Sequence, residues 1–305
     1  MGAAKKTRIR TVGIAVRPDT AGAVRRARRL AAWLKGRGVE VLAHEQWASA
    51  RSDLRVVDRL TMMSEADLVV VLGGDGSLLG MARLSSAKAA PVVGIHHGDF
   101  GFLTDVEGDG PYATMKKILA GDFEVQHRTL LAVTVRRGDR VVAESQALND
   151  AVVARGTLSR MVTLEAAVDG EHLATYMGDG LVIATPTGST AYSLSAGGPV
   201  VEPGMSAILM TPISPHTLNS RPLVLPDRSR VSIRVGRGGD DVVLTLDGQE
   251  SIRLRYGDVI EVTKSRHHAA IVKASEESFF AILRRKLNWG ARGETPSRAG
   301  KRRRE

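Results

Sequence analysis

A carboxylate flanked by glycines follows a predicted buried strand. Leu68 to Leu72 is an apolar run with three adjacent valines, which predicts a strand buried on both faces. Gly73, Gly74, Asp75 and Gly76 come next, and in an open α/β sheet ligands bind beyond the carboxyl ends of the strands. Glycines there let a phosphate or a sugar approach the backbone closely. A glycine-rich turn with an aspartate helix cap fits this stretch equally well.

Two polar stretches interrupt the apolar pattern later in the chain. Asn149 and Asp150 break an apolar run, which is unfavourable in a core unless both side chains are hydrogen bonded. An adjacent amide and carboxylate can bind a ribose diol and a base edge together, and a paired turn is the simpler interpretation. Hydroxyl residues between 185 and 195 follow a predicted strand, and Ser189-Thr190-Ala191 begins a short helix whose N–H groups suit a phosphate. Tyr192 adds a stacking face.

The elements that position these residues follow from hydrophobic periodicity. Residues 9–43 form a β-α-β unit with its helix at 21–35, which predicts a parallel sheet. From about Arg128, short valine-rich or alternating segments separated by Gly and Asp turns predict an antiparallel β-sandwich. Residues 278–287 are helical again. The predicted fold class is therefore α/β plus all-β.

We expect two domains and a tail. The N-terminal Rossmann-like α/β domain covers residues 1–127, and the C-terminal β-sandwich domain covers residues 128–275. Residues 291–305 lack apolar periodicity and are rich in Arg and Lys, which predicts a disordered basic tail.

The excess of basic residues lies at the two ends of the chain. Residues 1–37 contain eleven Lys and Arg against one acid, and residues 281–305 contain nine against two. The remaining residues, 38–280, carry 23 basic and 30 acidic side chains. The formal net charge of the whole chain is +10, so the positive excess comes from the two ends. We therefore expect the termini to bind polyanions weakly and the mildly acidic centre to carry the main function.

Composition excludes several classes of function. The absence of cysteine rules out disulfides, thiolate metal sites and cysteine nucleophiles, and it fits a cytoplasmic setting. No apolar run approaches the ~20 residues that span a bilayer, so no membrane contact is expected. The P-loop and the dinucleotide Gly-x-Gly-x-x-Gly motif are both missing. His96 and His97 are adjacent, a spacing that disfavours metal ligation, so no protein metal site is predicted.

Taken together, the motifs resemble those of the NAD kinase family. Gly-Gly-Asp-Gly alone also occurs in lipid kinases and phosphofructokinases, whereas Thr-Pro-Thr-Gly-Ser-Thr-Ala-Tyr is highly specific. The resemblance covers roughly Val12 to Trp289, with the motifs in the family's order at plausible spacings. They are Gly73–Gly76, Gly98–Leu103, Asn149–Asp150, Asp179–Gly180, Thr185–Tyr192, Ser195–Pro199, Pro215–Leu218, Arg221–Leu223 and Asp247–Gln249.

The resemblance implies transfer of a phosphoryl group from ATP, or from polyphosphate, to the 2′-hydroxyl of the adenosine ribose of NAD, with Mg²⁺ accompanying ATP. It implies that Asp75 is the catalytic residue, as proton acceptor or as Mg²⁺ partner. Gly73, Gly74 and Gly76 would form the phosphate loop. The NAD-binding residues that it implies are Asp75, Gly76, Phe102, Asn149, Asp150, Arg160, Asp179, Thr190, Ala191, Tyr192, Ser193, Leu194, Ser195 and Gln249.

The same resemblance carries expectations about architecture and assembly. The β-sandwich domain would bind NAD, and a helix within residues 276–290 would pack back on the first domain. Asp179 is expected to contribute to a site across a subunit interface, which implies a homodimer or homotetramer with shared active sites.

Some positions depart from the family's pattern. His96 and Phe100 stand where the family commonly has Asn and Leu, a Glu is common in place of Asp150, and a basic residue is common near Met177. Because none of these departures involves Asp75, activity is still expected.

Two alternatives stay open. A diacylglycerol- or sphingosine-type lipid kinase shares Gly-Gly-Asp-Gly and the two-domain plan, but it would need an apolar substrate channel, and the polar stretch 185–195 argues against one. A non-catalytic nucleotide-sensing or polyanion-binding protein is suggested by the basic termini.

Overall fold

A computed structural model gives the fold of the chain. It describes residues 9–16, 21–45, 47–48, 53–95, 101–104, 111–156, 161–217, 219–237, 241–273 and 277–289. The strands are β1 Thr11–Val16, β2 Glu40–His44, β3 Arg55–Val57, β4 Leu68–Leu72, β5 Val92–Ile95, β6 Glu124–Arg137, β7 Arg140–Ala147, β8 Asp150–Arg155, β9 Val162–Val168, β10 Glu171–Gly178, β11 Gly180–Ala184, β12 Ala207–Ile213, β13 Leu223–Pro226, β14 Val231–Val235, β15 Val242–Leu246, β16 Glu250–Leu254 and β17 Val259–Lys273. The helices are α1 Ala21–Lys35, α2 Arg59–Glu65, α3 Asp75–Ala82, α4 Pro111–Leu119, α5 Tyr192–Ser195 and α6 Phe279–Leu287, with a 3-10 turn at Thr187–Thr190.

The N-terminal half contains the predicted parallel sheet. Its strands run in the order β3-β2-β1-β4-β5, and each neighbouring pair is parallel. Helices α1 and α4 pack on the face that carries Ile14 and Val70, while α2 and α3 pack on the face that carries Val69 and Val71. Because helices cover both faces, β4 is buried along its whole length, which explains its uninterrupted apolar sequence.

The C-terminal half is a β-sandwich, as predicted. One layer is an antiparallel six-stranded sheet in the order β13-β12-β11-β8-β15-β16. The other layer contains β6, β9, β14 and β17. Alternate residues of both layers, such as Val153, Ile183, Leu164 and Ile260, are buried in one shared core.

A single long strand joins the two halves. The sequence predicts two segments, Val259 to Thr263 and Ala269 to Lys273, but the structure has one strand, β17, with an irregularity between Lys264 and His268. Its first part pairs antiparallel with β14, and Ile271 pairs parallel with β5. Because the residues at this irregularity are mostly polar, hydrophobic periodicity does not reveal that the two segments form one strand.

The parallel sheet and one layer of the sandwich therefore form a single eleven-stranded sheet. Strand β6 also runs across residues 127 and 128, where the sequence places the domain boundary. The division into domains at that point remains a prediction.

The end of the chain forms a separate compact unit that begins at Ser275. Within it, the hydroxyl of Ser278 accepts a hydrogen bond from the N–H of Ala281 at the start of α6, and Asn288 ends the helix in the left-handed conformation. The helix is thus present as predicted, and its packing on the first domain stays a prediction. Within the described ranges, no helix is long and apolar enough to cross a membrane.

Candidate functional site

The end of β4 opens directly into a helix. Gly74 lies at the N-terminal cap position of α3 and offers no side chain to accept a hydrogen bond, and Asp75 and Gly76 form the first turn. A Cβ atom placed on Gly74 would meet none of the described residues within 4 Å, so the described part of the chain leaves the space beside this turn open to a ligand. Strand β4 therefore delivers Asp75 to the carboxyl edge of the sheet, where open α/β folds bind ligands.

The carboxylate of Asp75 is held by the loop at residues 101–104. Its Oδ1 atom accepts hydrogen bonds from the N–H groups of Leu103 (3.3 Å) and Thr104 (3.0 Å) and from the Thr104 hydroxyl (2.9 Å). Its Oδ2 atom accepts one from the N–H of Phe102, at 2.7 Å. Because a carboxylate oxygen has two lone pairs, Oδ2 is the atom with capacity for a further donor such as a substrate hydroxyl.

Gly101 allows the loop to approach the carboxylate of Asp75 closely enough for these hydrogen bonds. A Cβ atom at Gly101 would lie 1.8 Å from Oδ1 of Asp75, so no other residue fits without displacing the carboxylate. The glycine of the second motif and the aspartate of the first are thus parts of one arrangement. Phe102 belongs to it through its backbone N–H.

The polar stretches of the sandwich meet at one end of the six-stranded sheet. In the strand register, Asp150 at the start of β8 lies opposite Ala184 at the end of β11, and Ala151 lies opposite Leu246 at the end of β15. The turns that follow Ala184 and Leu246 therefore adjoin the turn that precedes Asp150. The predicted NAD-binding turns are brought together by strand pairing alone.

Asp247 ties these turns to one another. Its carboxylate accepts hydrogen bonds from the backbone N–H groups of Leu148, Asn149 and Asp150, at 2.9, 2.7 and 3.1 Å. Its own backbone is in the left-handed region, with φ of 52°. Burial is the main influence on Asp247 and raises the pKa of its carboxyl group, while these N–H groups oppose the rise. Read from its residues alone, this stretch is a hairpin turn, and the family resemblance adds Gln249 but not Asp247 to the predicted site residues.

Asp150 lies beside Asp247 with its side chain buried. Burial, followed by the charge of Asp247, raises the pKa of the Asp150 carboxyl group to about 7. The backbone N–H of Tyr192 hydrogen bonds this carboxyl group and works in the opposite direction. The structure thus places Asp150 against the first residue of α5.

Two buried polar atoms at this place lack a protein partner. Among the described residues, Oδ1 of Asn149 and Oγ1 of Thr187 are inaccessible to solvent and have no hydrogen-bond partner. Unsatisfied buried polar groups are rare in native proteins and are common where a ligand completes the bonding. Thr187 is missing from the predicted residues, and its position inside the Thr185–Tyr192 motif is the only signal in the sequence.

The residues around α5 have different environments. Tyr192 and Ser195 are exposed, while Thr190, Ala191 and Leu194 are half-buried. The Ser193 hydroxyl is fully buried and shares a 3.0 Å hydrogen bond with the hydroxyl of Thr211, so this side chain anchors α5 to β12.

Gln249 links the sandwich to the α/β half. Its side-chain N–H donates a hydrogen bond to the backbone carbonyl of Gly76 in α3. Because Gln249 follows Asp247 by two residues, the Asp75 turn and the Asn149–Asp150 turn are connected through one hairpin.

Asp179 is the predicted residue that the fold does not bring to this cluster. It precedes β11, at the opposite end of the strand from Thr185, roughly 20 Å away at about 3.3 Å per residue. Its carboxylate instead forms an ion pair with Nε of Arg155, at 2.6 Å. Arg160, His96 and Phe100 lie outside the described residues.

The donor set suits a metal ion that arrives with a substrate. The described part of the chain contains no group of three or more side chains of His, Cys, Asp or Glu arranged to hold a metal. Asp75 is the carboxylate of the Gly73–Gly76 turn, and Mg²⁺ commonly combines one or two carboxylates with substrate phosphates and water. Asp75 therefore fits Mg²⁺ carried by a nucleotide better than a resident metal.

Comparisons with known proteins identify the family of the chain. The ATP-NAD kinase N-terminal domain model matches residues 12–123, and the ATP-NAD kinase C-terminal domain model matches residues 148–274. The NAD kinase of Trichlorobacter lovleyi is 45% identical over 267 residues, which is 87% of this chain and 94% of that relative. The NAD kinase of Geobacter metallireducens is 43% identical over 271 residues, with the same coverage of both chains.

Solved structures give the same result. Yeast NADH kinase complexed with NADH superposes with a TM-score of 0.85 at 28% identity and covers 94% of this chain and 90% of its own. An NAD kinase from Archaeoglobus fulgidus in complex with ATP superposes with a TM-score of 0.71 at 26% identity, over 91% of this chain and 98% of its own. These matches give no support to a lipid kinase or a non-catalytic protein. The chain belongs to the NAD kinase family.

Proposed function

We propose that this NAD kinase uses Asp75 as the general base for phosphorylation of the 2′-hydroxyl of the adenosine ribose of NAD. The 2′-oxygen attacks the γ-phosphorus of ATP, the bond from that phosphorus to the β-γ bridging oxygen breaks, and ADP leaves. The hydroxyl proton passes to Oδ2 of Asp75. The observation that carries this proposal is the bonding of Asp75, because Oδ1 is saturated by loop 101–104 whereas Oδ2 accepts a single bond among the described residues.

The backbone around Asp75 supports this role. Three N–H groups of the loop fix the carboxylate in one orientation, so no reorganisation is needed when the hydroxyl arrives. Mg²⁺ carried by ATP would neutralise charge on the phosphates during transfer. The open space beside Gly74 leaves room near the backbone for those phosphates. We include Gly73 and Gly76 in the phosphate loop on the family resemblance.

The sandwich turns are proposed to hold NAD. Asn149 and Thr187 each present a buried polar atom that has no hydrogen-bond partner among the described residues, which suits hydrogen bonding to the sugar or the base. Asp150, Thr190, Ala191, Tyr192, Ser195 and Gln249 surround them or follow on the adjoining turns. We include Phe102, Ser193, Leu194 and Arg160 in the proposed site on the family resemblance.

The proposal also covers the subunit assembly and the cellular location of the protein. We infer that a second copy of the chain supplies Asp179 to the site, which makes the protein a homodimer or homotetramer. Isolation of Asp179 from the other site residues of its own chain supports this inference. The lack of cysteine supports a cytoplasmic location.

The test is NADP formation from NAD and Mg-ATP by the purified protein and by Asp75→Asn. We expect the wild type to form NADP and kcat of Asp75→Asn to fall by about 100-fold or more, as loss of a general base predicts. Absence of NADP with the wild type, with ATP and polyphosphate both offered, would exclude the proposed function.

A matched variant separates loss of the base from loss of its support. Thr104→Val removes one donor to Asp75 and keeps the carboxylate, so kcat should fall by less than about tenfold. If Thr104→Val and Asp75→Asn lowered kcat equally, Asp75 would be a structural anchor of the loop and not the base.

A further inference from the structure

A cleft borders the Asp75 turn, and Gly248 and Gln249 of the sandwich hairpin that contains Asp247 line one side of it. It lies at the carboxyl ends of β1, β2 and β4 and has a volume of about 460 Å³, which is within the range of small-molecule sites. Of the predicted substrate residues, only Gly76 and Gln249 line it. Its polar and backbone walls include His44, Arg59, Gly76, Ser77, Gly80 and Gln249. We call this feature the α2–α3 cleft.

Arg59 lies at the rim of the cleft, on a backbone that a helix cap holds in place. It is the first residue of α2, and the carboxylate of the preceding Asp58 caps the helix by accepting hydrogen bonds from the N–H groups of Leu60 and Thr61, at 2.8 and 2.9 Å. Because this cap fixes the backbone, the Arg59 side chain starts from a defined point.

The Arg59 guanidinium reaches across to α3. A Cβ atom on Gly80 would lie 3.7 Å from Nη1 of Arg59 and 2.9 Å from Oε1 of Gln249. Because Gly80 has no side chain, there is space beside it for the side chains of Arg59, from α2, and Gln249, from the sandwich hairpin. One of them, Gln249, also contacts the phosphate loop at Gly76.

The electrostatic character of the cleft favours an anion. Among the described residues that line it, none is acidic. Burial lowers the pKa of His44, and the nearby charge of Arg59 lowers it further, against smaller opposing effects of Glu45 and Asp58. The positive field of Arg59 thus reaches the inner wall of the cleft, and the N-terminus of α3 opens into the cleft at Gly76.

We propose that Arg59 binds the phosphate chain of the phosphoryl donor in the α2–α3 cleft and thereby sets the affinity for the donor. The proposal rests on the kinase function proposed above. The cleft adjoins the Asp75 turn and shares Gly76 and Gln249 with the proposed NAD contacts, but none of the described residues that line it comes from the stretch 147–195, which supplies most of those contacts. A chain of anhydride-linked phosphates also carries more negative charge than the pyrophosphate of NAD, so it matches an arginine-lined, acid-free cleft better.

The experiment compares steady-state kinetics of the wild type with Arg59→Gln, Arg59→Lys and Gly80→Ala. Mg-ATP and inorganic polyphosphate are each offered, and the comparison is made with every donor that yields NADP. For Arg59→Gln we expect the donor KM to rise about tenfold, with the NAD KM changed less than about twofold and kcat less than about threefold. Arg59→Lys should restore part of the donor affinity, and Gly80→Ala should raise the donor KM by filling the cleft.

Arg55→Gln is the matched control. Arg55 lies on β3 and pairs with Glu65 at 2.6 Å, outside the residues that line the cleft, so its loss should leave both KM values unchanged. Calorimetric binding of a non-hydrolysable ATP analogue with Mg²⁺ should weaken about tenfold in Arg59→Gln and stay unchanged in Arg55→Gln.

The results separate this inference from the proposed function. If the wild type forms NADP but Arg59→Gln leaves donor KM and analogue binding unchanged, the inference is wrong while the kinase function stands. A rise in the NAD KM without a rise in the donor KM would assign the cleft to NAD and would also overturn the inference.

Discussion

Asp150 and Asp75 are both aspartates of the proposed site, but their surroundings give them different properties. Asp75 is partly accessible and accepts four hydrogen bonds from loop 101–104. Asp150 is buried beside a second carboxylate, and this burial raises its pKa to about 7 from an ordinary value of 3.8. The hydrogen bonds to Asp75 fix the orientation of its carboxylate, whereas the burial of Asp150 keeps its carboxyl group mostly neutral below about pH 7.

The raised pKa of Asp150 predicts a pH-dependent stability. Between pH 3.8 and about 7 the unfolded chain has lost the Asp150 proton, whereas the native protein retains it. The native state therefore binds more protons, and the free energy of unfolding falls as pH rises through this window and levels off above it. Asp150→Asn should remove this slope and be more stable than the wild type at pH 8, on the order of 1–3 kcal/mol.

Thermal unfolding of both proteins at several pH values from 5 to 8 checks this prediction. The Tm difference between Asp150→Asn and the wild type should grow with pH. Asp139→Asn, an exposed turn substitution, provides the baseline and should show no such growth. A variant that is less stable than the wild type at pH 8, with an unchanged slope, would contradict the prediction.

The turns at the end of the six-stranded sheet act as a unit because a single side chain bonds to several of their backbone groups. Strand pairing places the turns side by side, and Asp247 then fixes the positions of residues 148–150. A carboxylate can serve three N–H groups at once, which a hydroxyl or an amide oxygen does less well. The precision of the proposed NAD site therefore depends on a residue that need not touch NAD.

Asp247→Asn tests this arrangement. Asn tolerates the left-handed backbone at this position, but its amide nitrogen cannot accept the N–H of Leu148 that now bonds Oδ2. We expect a loss of about 1–2 kcal/mol in the free energy of unfolding and a several-fold rise in the NAD KM, with the ATP KM unchanged.

Asp169→Asn is the matched control for that variant. Asp169 has a φ of 53° and accepts a hydrogen bond from the backbone N–H of Arg230, at 2.8 Å, on the hairpin between β9 and β10. Its substitution should leave both KM values unchanged. Equal effects of the two substitutions on the NAD KM would show that Asp247 has no specific positioning role.

At the scale of the whole molecule, one continuous sheet organises the unit that ends at Ala274. Its parallel part carries the Gly73–Gly76 turn, and its antiparallel part forms one layer of the sandwich. Strand β17 spans both parts, and a cluster with Leu78 of α3, Leu130 of β6 and Ile271 of β17 packs across the junction. The two proposed substrate sites are therefore held at a fixed spacing within the unit that ends at Ala274. Phosphoryl transfer depends on such positioning.

The proposed sharing of sites between subunits has a direct test. If Asp179 serves the site of a second copy, Asp75→Asn and Asp179→Asn subunits should complement each other. A randomly assembled dimer of the two inactive variants should regain about a quarter of the wild-type sites. NADP formation before and after mixing and refolding, together with size-exclusion chromatography, measures this effect.

A mixture of Asp75→Asn and Asn149→Ala subunits is the control for complementation. Gln249 and Asp247 link the turns of Asp75 and Asn149 within one chain, so no mixed dimer of these variants contains a complete site. Recovery of activity in neither mixture would overturn the proposed sharing.

Much of this protein follows from local sequence alone. The helix at 21–35, the buried strand before Asp75 and the hydroxyl-rich motif at 185–192 depend on neighbouring residues, so periodicity and turn chemistry reveal them. The same motifs carried the resemblance to NAD kinases, which the comparisons confirmed. The α/β plus all-β fold class was likewise readable from the change in period.

Other features depend on contacts between residues far apart in the chain. No local pattern relates the residues that make these contacts. The contacts are the close approach of Gly101 to Asp75, the hydrogen bonds from residues 148–150 to Asp247, and the approach of Arg59 to Gly80. The continuity of β17 and the unsatisfied hydroxyl of Thr187 likewise emerge only when strands are paired and packed. Side-chain burial and hydrogen bonding are set by register and packing, because the chain neighbours of a residue do not determine what faces it across a turn or a sheet.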